Sequence, residues 1–176
     1  RPFGDTLDRV SHARTVAGRM ESFGGGNQPL VVVDYAHTPD ALEQALAAVR
    51  AHAGGQVSVV FGCGGERDRG KRGQMGAAAA AGADRIVLTD DNPRGEDGAG
   101  IIVDIRSGIP DSTAAQVSVE RDRAQAIADA LECARKGDVI LVAGKGHEAV
   151  QIVGTERRRY SDRDTERRLL GVPVWS

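Results

Sequence analysis

The residues best suited to bind a charged ligand follow a short apolar run, in the segment Asp90-Asp91-Asn92-Pro93-Arg94. The run, residues 85–89, predicts a buried strand, and open α/β sheets place ligand-binding groups at the ends of such strands. Pro93 fixes its own φ and restricts Asn92 to extended geometry, which predicts a stiff loop. The planar guanidinium of Arg94 can then bind a carboxylate through two hydrogen bonds. The alternative interpretation is a turn that carries a solvated arginine.

Three other polar loops, residues 34–37, 62–72 and 144–148, each follow a predicted strand in the same way. Because the carboxyl ends of parallel strands meet at one edge of a sheet, we expect the side chains of all four loops to lie close together. A binding site explains this cluster better than chance does. The side chains that it gathers are Asp34, His37, Arg67, Lys71, Asn92, Arg94, Lys145, His147 and Glu148.

The elements that position these loops follow from the hydrophobic pattern. Strands are predicted at short β-branched runs, namely residues 30–33, 57–61, 86–88, 117–119 and 139–142. Helices are predicted between them and after them, from Thr38 as N-cap, near 74–81, 101–106 and 124–134, and from Ser161 through Leu170. The pattern of residues 150–160 predicts a β-hairpin.

Strands that alternate with helices of this length predict an α/β fold. We expect a three-layer sandwich around a mostly parallel, Rossmann-like sheet of about six strands. The predicted hairpin at residues 150–160 is the expected antiparallel member of that sheet.

The composition limits the classes of partner. A chain of 176 residues with 40% hydrophobic content suits one globular domain. A net charge of −2 and 3% aromatic residues argue against binding to nucleic acid or to an anionic membrane. No apolar segment approaches the roughly 18 residues of a membrane span, and no signal peptide is evident. Two distant cysteines without metal-ligand spacing indicate a reduced cytoplasmic protein.

Neither glycine-rich loop matches a nucleotide-binding motif. After Gly62, the dinucleotide fingerprint requires a glycine at its sixth position, where Arg67 stands. Gly144 and Lys145 lack the following Ser or Thr and the earlier glycine of a P-loop. If the function uses ATP, its phosphate cradle is not in these residues.

Five linked motifs resemble the C-terminal domain of the Mur ligases, most closely the members that add diaminopimelate. The motifs occur in family order and cover nearly the whole chain, from Gly18 to about Leu170. They are Gly18-Arg19-Met20-Glu21, residues 33–42 (VDYAHTPDAL), residues 61–72 (FGCGGERDRGKR), Asp91-Asn92-Pro93-Arg94 and Gly144-Lys145-Gly146-His147-Glu148.

The resemblance implies an ATP-dependent amide ligase of cytoplasmic peptidoglycan synthesis, with roles in cell shape and division. In this family, ATP phosphorylates the D-glutamate side chain of UDP-N-acetylmuramoyl-L-Ala-D-Glu, and the amine of meso-diaminopimelate attacks the acyl phosphate. The family has three domains, and a central domain holds ATP and Mg²⁺. Only the third domain, which brings the amino acid, is similar to this chain.

The resemblance also implies site residues. No catalytic residue and no metal ligand is expected in this domain, and Lys71, Lys145 and His147 carry no assigned role. Glu66 stands where the family often has Asp, and residues 73–74 where Pro-Leu is common. The expected ATP contacts on domain closure are Arg19, Asp34 and His37, and the expected diaminopimelate-binding residues are Arg67, Asp91, Asn92, Pro93, Arg94, Gly144 and Glu148.

The chemistry of the residues agrees with that assignment. Diaminopimelate carries an amino-carboxylate at both ends. Arg94 and Arg67 can bind carboxylate, and Glu148 can bind ammonium. Lysine has only an ammonium at its far end, which an arginine repels, so Arg94 is expected to select against lysine.

The expected organisation is an approach segment, residues 1–28, from a preceding ATPase domain that this chain lacks, followed by the amino-acid-binding domain, residues 29–176. The chain begins with Arg1 and not Met, which indicates a piece of a longer chain. We expect a monomer that makes no amide bond in isolation. The alternatives are a lysine-adding ligase, a cyanophycin-synthetase-like ligase, or a non-catalytic α/β domain that binds a small molecule.

Overall fold

The computed structural model describes residues 16–171, so residues 1–15 of the predicted approach segment lie outside the described part. The strands are β1 (Glu21–Gly24), β2 (Leu30–Asp34), β3 (Val57–Phe61), β4 (Arg85–Leu88), β5 (Gln116–Val119), β6 (Val139–Ala143), β7 (Val150–Val153) and β8 (Glu156–Arg159). The helices are α1 (Pro39–Arg50), α2 (Gly70–Gly82), α3 (Gly98–Arg106), α4 (Arg123–Cys133) and α5 (Asp162–Leu170). None of these helices is long and apolar enough to cross a bilayer.

Six strands form one sheet in the order β1-β2-β6-β3-β4-β5. All neighbours from β2 to β5 pair in parallel, and β1 pairs with β2 antiparallel. The α/β class and the mostly parallel sheet with one antiparallel strand are therefore confirmed. The carboxyl ends of β2, β3, β4 and β6 lie at the same edge, which brings together the four polar loops.

The prediction that the hairpin joins this sheet is wrong. β7 and β8 form a separate two-stranded sheet, and the antiparallel strand is β1, with Glu21 opposite Val33. β8 (ERRR) is exposed along its whole length, so it has no apolar side chain to bury against the sheet. β1 buries only the side chain of Phe23, so the sequence has no apolar run from which this strand could be predicted. Residues 21–24 of the predicted approach segment are thus part of the folded sheet.

The core lies on both faces of the sheet. On one face, Val32, Val59 and Leu141 pack with α1, α2 and α3. On the other, Val60 and Ile140 pack with residues of α4 and with Phe23 of β1. Strands buried on both faces need apolar side chains at successive positions, which explains the continuous β-branched runs in the sequence.

Side-chain caps set most of the helix starts. Thr38 caps α1, and Ser161 Oγ accepts a hydrogen bond from the backbone N–H of Asp164 at 3.3 Å, as the capping-box spacing predicted. α2 and α3 begin earlier than predicted, at Gly70 and Gly98. Glycines in their first turns conceal these starts in the sequence, because glycine has low helix propensity.

Candidate functional site

The four polar loops enclose a cleft of about 440 Å³ at the carboxyl edge of the sheet. His37 and Lys71 line it as well, together with Tyr35, for which the sequence indicated no role. Pro93 is buried and does not line it. Six of the seven residues predicted to bind diaminopimelate line the cleft: Arg67, Asp91, Asn92, Arg94, Gly144 and Glu148.

A fully buried lysine connects the loops on either side of the cleft. The Nζ atom of Lys145 donates to Asn92 Oδ1 at 3.1 Å, to Glu148 Oε2 at 3.0 Å and to the carbonyl of Val150 at 2.8 Å. An ammonium has three N–H donors, and the protein uses all of them. Lys145 therefore holds two cleft residues and the first residue of β7 in place and has no donor left for a ligand.

Asn92 completes this network. Its Nδ2 atom donates to Glu148 Oε2 at 3.0 Å, and its Oδ1 atom also accepts the backbone N–H of Ile152 at 2.9 Å. Glu148 Oε2 is thus held by two donors. A buried polar network with all its members bonded keeps its side chains in one geometry.

The hairpin holds the backbone of Arg94. Its N–H donates to the carbonyl of Ile152 at 3.0 Å, and its carbonyl accepts from the N–H of Gly154 at 2.6 Å. Arg94 has a φ of 53°, a left-handed conformation that is uncommon for a residue with a side chain. Its Nη1 atom donates to the carbonyl of Gly65 at 2.9 Å, which orients the guanidinium into the cleft.

Two glycines allow the loops to approach each other. A Cβ atom on Gly65 would lie 1.8 Å from the carbonyl oxygen of Pro93. A Cβ atom on Gly144, which has a φ of 114°, would lie 2.7 Å from Asp91 Oδ2. Any larger residue at either position must displace backbone or a cleft carboxylate.

Burial shifts the proton affinity of two residues that line the cleft. Burial raises the pKa of Asp91 above its usual range, and the nearby cations Arg123 and Lys145 oppose that shift. Burial also raises the pKa of Cys63 to about 12, so its thiol stays protonated near neutral pH. Cys63 is buried and packs as a small apolar side chain. Among residues 16–171, no group of three or more His, Cys, Asp or Glu side chains is placed to hold a metal ion.

Of the three residues predicted to contact ATP, His37 lines the cleft, whereas Arg19 and Asp34 do not. The Arg19 guanidinium lies over the Tyr35 ring, 5.7 Å from its centroid, and the His37 ring lies 4.7 Å from it. Asp34 has a different environment: its two carboxylate oxygens accept backbone N–H groups of Met20, at 2.9 Å, and Ala36, at 2.8 Å. Asp34 therefore fixes the turn that carries Arg19.

The two remaining residues without an assigned role lie close by. The His147 ring is 5.5 Å from Tyr35, and His147 is exposed. Lys71 donates to the backbone carbonyl of His37 at 2.8 Å. Lys71 thus ties the β3 loop to the loop that follows β2.

An ion pair that the sequence did not reveal shapes the loop of Arg67. The fully buried Arg72 forms two hydrogen bonds to Glu96, of 2.9 and 3.0 Å, and one of 2.8 Å to Asp104. The guanidinium of Arg72 holds the pKa of Glu96 at about 2, well below its usual range. Glu96 also accepts the backbone N–H of Glu66 at 2.5 Å. In a sequence, a buried arginine looks the same as a solvated one, so no signal identified this pair.

Comparisons with known proteins agree with the geometry. The family model described as "Mur ligase, glutamate ligase domain" matches residues 18–146. The UDP-N-acetylmuramoyl-L-alanyl-D-glutamate–2,6-diaminopimelate ligase of Alkalilimnicola ehrlichii is 57% identical over 94% of this chain, which covers 32% of that protein. The chain thus spans about a third of the length of that curated relative.

Two solved structures resemble this chain to different degrees. A structure of a UDP-N-acetylmuramoyl-L-alanyl-D-glutamate–2,6-diaminopimelate ligase superposes with a TM-score of 0.84 and 42% identity, over 94% of this chain and 34% of that one. A folylpolyglutamate synthase/dihydrofolate synthase from Yersinia pestis, complexed with AMPPNP and Mn ion, has a TM-score of 0.60 and 21% identity, over 75% and 29% of the two chains. This second likeness concerns the fold alone.

Proposed function

Because this chain belongs to the Mur ligase family, we propose that it is the C-terminal domain of an ATP-dependent ligase that adds meso-diaminopimelate to UDP-N-acetylmuramoyl-L-Ala-D-Glu. In this proposal the domain binds the incoming amino acid and closes over ATP. The main support for the proposal is the arrangement of charges in the cleft, where the guanidinium groups of Arg67 and Arg94 and the carboxyl groups of Asp68, Asp91 and Glu148 line one cavity of about 440 Å³.

The cleft charges suit a molecule with an ammonium and a carboxylate at each end. Arg67 is exposed and forms no ion pair within residues 16–171, so its guanidinium is available for a carboxylate. Arg94 uses only Nη1, on two backbone carbonyls, which leaves its other N–H groups for a ligand. Glu148 uses Oε2 for Lys145 and Asn92, and in the described part of the chain nothing bonds to its Oε1, which can accept from an ammonium.

The arginine in the cleft also supports a choice between amino acids. Arg94 attracts the distal carboxylate of diaminopimelate, whereas lysine presents only an ammonium there. A guanidinium in a partly desolvated site penalises a second cation, so it discriminates by repulsion as well as by attraction. The hydrogen bonds between the hairpin and the backbone of Arg94 fix the position of this residue, which supports the proposed discrimination.

ATP binding is proposed at the neighbouring turn. The side chain of Arg19 is exposed and, within residues 16–171, has no ion-pair partner, so it suits a phosphate group. The His37 ring also lies close to Tyr35, with 4.7 Å between the two ring centroids. When bound, ATP supplies the phosphoryl group that activates the acceptor carboxylate. We place Mg²⁺ and most ATP contacts in a preceding domain, as the family resemblance implies.

The test is an amino-acid-dependent ATPase assay on the full-length protein that contains this chain, with UDP-N-acetylmuramoyl-L-Ala-D-Glu present. We expect phosphate release and tripeptide product with meso-diaminopimelate, and little of either with lysine. Equal use of lysine would instead identify a lysine-adding ligase. A rate of phosphate release that does not depend on the added amino acid, with no tripeptide product by mass spectrometry, would support a binding domain without ligase activity.

The organisation of the protein is part of this proposal. We infer that the residues before β1 lead from an ATPase domain, that the protein acts in the cytoplasm as a monomer, and that purified residues 1–176 do not hydrolyse ATP. Arg19 would then complete a site built mainly by the other domain, as closing domains do in many transferases. Turnover by the purified chain, free of contaminating ligase, would contradict this.

A further inference from the structure

The turn that carries Arg19 lies directly against the loop after β6. Arg19 N–H donates to the carbonyl of Val16 at 2.9 Å, and Gly18 and Met20 have positive φ values of 67° and 46°. A Cβ atom on Gly18 would lie 2.1 Å from the backbone nitrogen of His147. The turn is therefore held in one conformation against the backbone of the amino-acid-binding loop.

Glu21 and Arg163 hold this turn from behind. Glu21 Oε2 accepts the N–H of Gly18 at 2.8 Å and Arg163 Nε at 2.6 Å, while Glu21 Oε1 accepts Arg163 Nη2 at 3.0 Å. The ion pair is thus bidentate. Its side chains are only 16% and 26% exposed, so water screens it less than it screens a surface pair.

Arg163 belongs to the first turn of α5, and its neighbour Asp162 makes a second bidentate ion pair. Asp162 accepts Arg123 Nε at 2.7 Å and Nη2 at 2.8 Å, and Arg123 Nη2 also donates to the carbonyl of Ala143, the last residue of β6. Two successive residues of one helix therefore anchor the Arg19 turn and the end of the strand that leads to Gly144.

We infer that Arg163 is a positioning residue: through Glu21 and Gly18 it holds the Arg19 turn where Arg19 can meet the phosphates of ATP. This inference rests on the proposed function, because it assigns ATP as the ligand of Arg19. Among residues 16–171, the Arg163 side chain forms hydrogen bonds with Glu21 and none with a residue that lines the cleft. Its effect is on the geometry of the turn.

The experiment measures steady-state kinetics of the full-length enzyme with the variants Arg163→Gln, Arg163→Lys and Glu21→Gln. We expect Arg163→Gln to raise the KM for ATP about tenfold, the range that one charge-assisted contact controls. The KM for diaminopimelate should stay near its original value. Lysine at 163 should restore part of the effect, and the double variant with Glu21→Gln should be no worse than Glu21→Gln alone.

Arg168→Gln is the matched control, because Arg168 is exposed on the same helix. Hydrogen exchange of a peptide that covers residues 16–21 gives a second readout: exchange should be faster in Arg163→Gln and unchanged in Arg168→Gln. Arg167 Nη2 lies 3.5 Å from Glu21 Oε1, so Arg167 can replace Arg163 as the ion-pair partner of Glu21. The double variant Arg163→Gln/Arg167→Gln removes both partners.

The variant Arg19→Ala distinguishes the proposed contact of Arg19 with ATP from the proposed positioning role of Arg163. A normal KM for ATP in Arg19→Ala contradicts the proposed function at this residue. A raised KM in Arg19→Ala with an unchanged KM and unchanged exchange in Arg163→Gln overturns the positioning role alone. An Arg163→Gln enzyme that loses stability and uses all substrates equally poorly also overturns it, since that is the behaviour of a purely structural ion pair.

Discussion

The side-chain ammonium of Lys145 lies 3.1 Å from Asn92 Oδ1 and joins two loops whose strands, β6 and β4, are separated by β3 in the sheet. The same ammonium bonds to Glu148 and to the first residue of the hairpin. One buried cation is thus the common anchor of two residues proposed to bind the amino acid. Its role is to fix their geometry, because all its donors are used within the protein.

Replacement of Lys145 by Met should therefore damage both folding and substrate binding. The change leaves Asn92 and Glu148 without their shared donor in a partly buried site, and unpaired buried acceptors cost about 1–3 kcal/mol of unfolding free energy. We expect a lower urea midpoint and a higher KM for diaminopimelate. Lys136→Met is the control, because Lys136 is exposed and, among residues 16–171, its side chain bonds only to Asn27. Equal effects of the two variants would contradict the anchor role.

Replacement of Arg94 by Ala in the full-length enzyme should impair the use of diaminopimelate far more than the binding of ATP. The loss of a charge-assisted contact in a closed site is expected to lower kcat/KM for the amino acid about 30- to 1000-fold. Arg94→Lys should recover little, because a point charge cannot reproduce the planar fork. Discrimination against lysine should also weaken.

Arg106→Ala serves as the control for Arg94, since Arg106 is exposed in the last turn of α3. Near-normal kcat/KM for diaminopimelate in Arg94→Ala would show that Arg94 is a solvated loop residue, and the proposed substrate would lose its main physical support.

Replacement of Gly65 by Ala should separate the β3 loop from the Asn92 loop. The new Cβ would lie 1.8 Å from the carbonyl oxygen of Pro93, and backbone cannot yield as a flexible side chain can. We expect a loss of stability of about 1–3 kcal/mol, the usual cost of overpacking, and weaker amino-acid binding by calorimetry. Gly100→Ala, a helical site with nothing within 4 Å, should be neutral or stabilising. A Gly65→Ala protein as stable as the wild type would refute the close approach.

The stability of the protein should fall as the pH rises from about 4.5 to 8 because of Glu166. Its carboxylate is buried and, within residues 16–171, has no hydrogen-bond partner. Burial, with the nearby Asp162, raises its pKa from 4.5 to about 8. The folded state thus keeps a proton that the unfolded chain releases. The contribution of Glu166 to the free energy of unfolding is complete below pH 4.5. It falls by at most about 1.4 kcal/mol per pH unit and is lost as the pH rises through the folded-state pKa of about 8.

The variant Glu166→Gln removes the contribution of Glu166 to this dependence and should be more stable than the wild type at pH 8, with the difference shrinking toward pH 5. Urea denaturation at each pH gives the measurement. Glu132→Gln, at an exposed position of α4, should keep the wild-type slope. Identical slopes in all three proteins would show that Glu166 titrates normally.

Local sequence patterns determined the larger part of the fold. Apolar runs such as residues 139–142 predict strands because a parallel strand covered on both faces needs successive apolar side chains. Caps such as Thr38 and Ser161 mark helix starts, since their side chains satisfy free backbone N–H groups within a few residues. The alternation of these elements then predicts that the four polar loops share one edge. It therefore also predicts that Arg67, Asn92, Arg94 and Glu148 lie close together, and all four line the cleft.

Long-range contacts decided the rest. The antiparallel strand is β1 because its backbone pairs with β2, and a strand that buries only Phe23 has almost no signature in the sequence. The roles of Lys145 and Arg163 depend on partners that include Asn92 and Glu21, which are 53 and 142 residues away along the chain. A charged side chain is stable in the interior only if the fold places an oppositely charged or hydrogen-bonding partner next to it. Residue type and spacing show which groups can do chemistry, and the tertiary structure determines which of them meet the ligand and which hold the others in position.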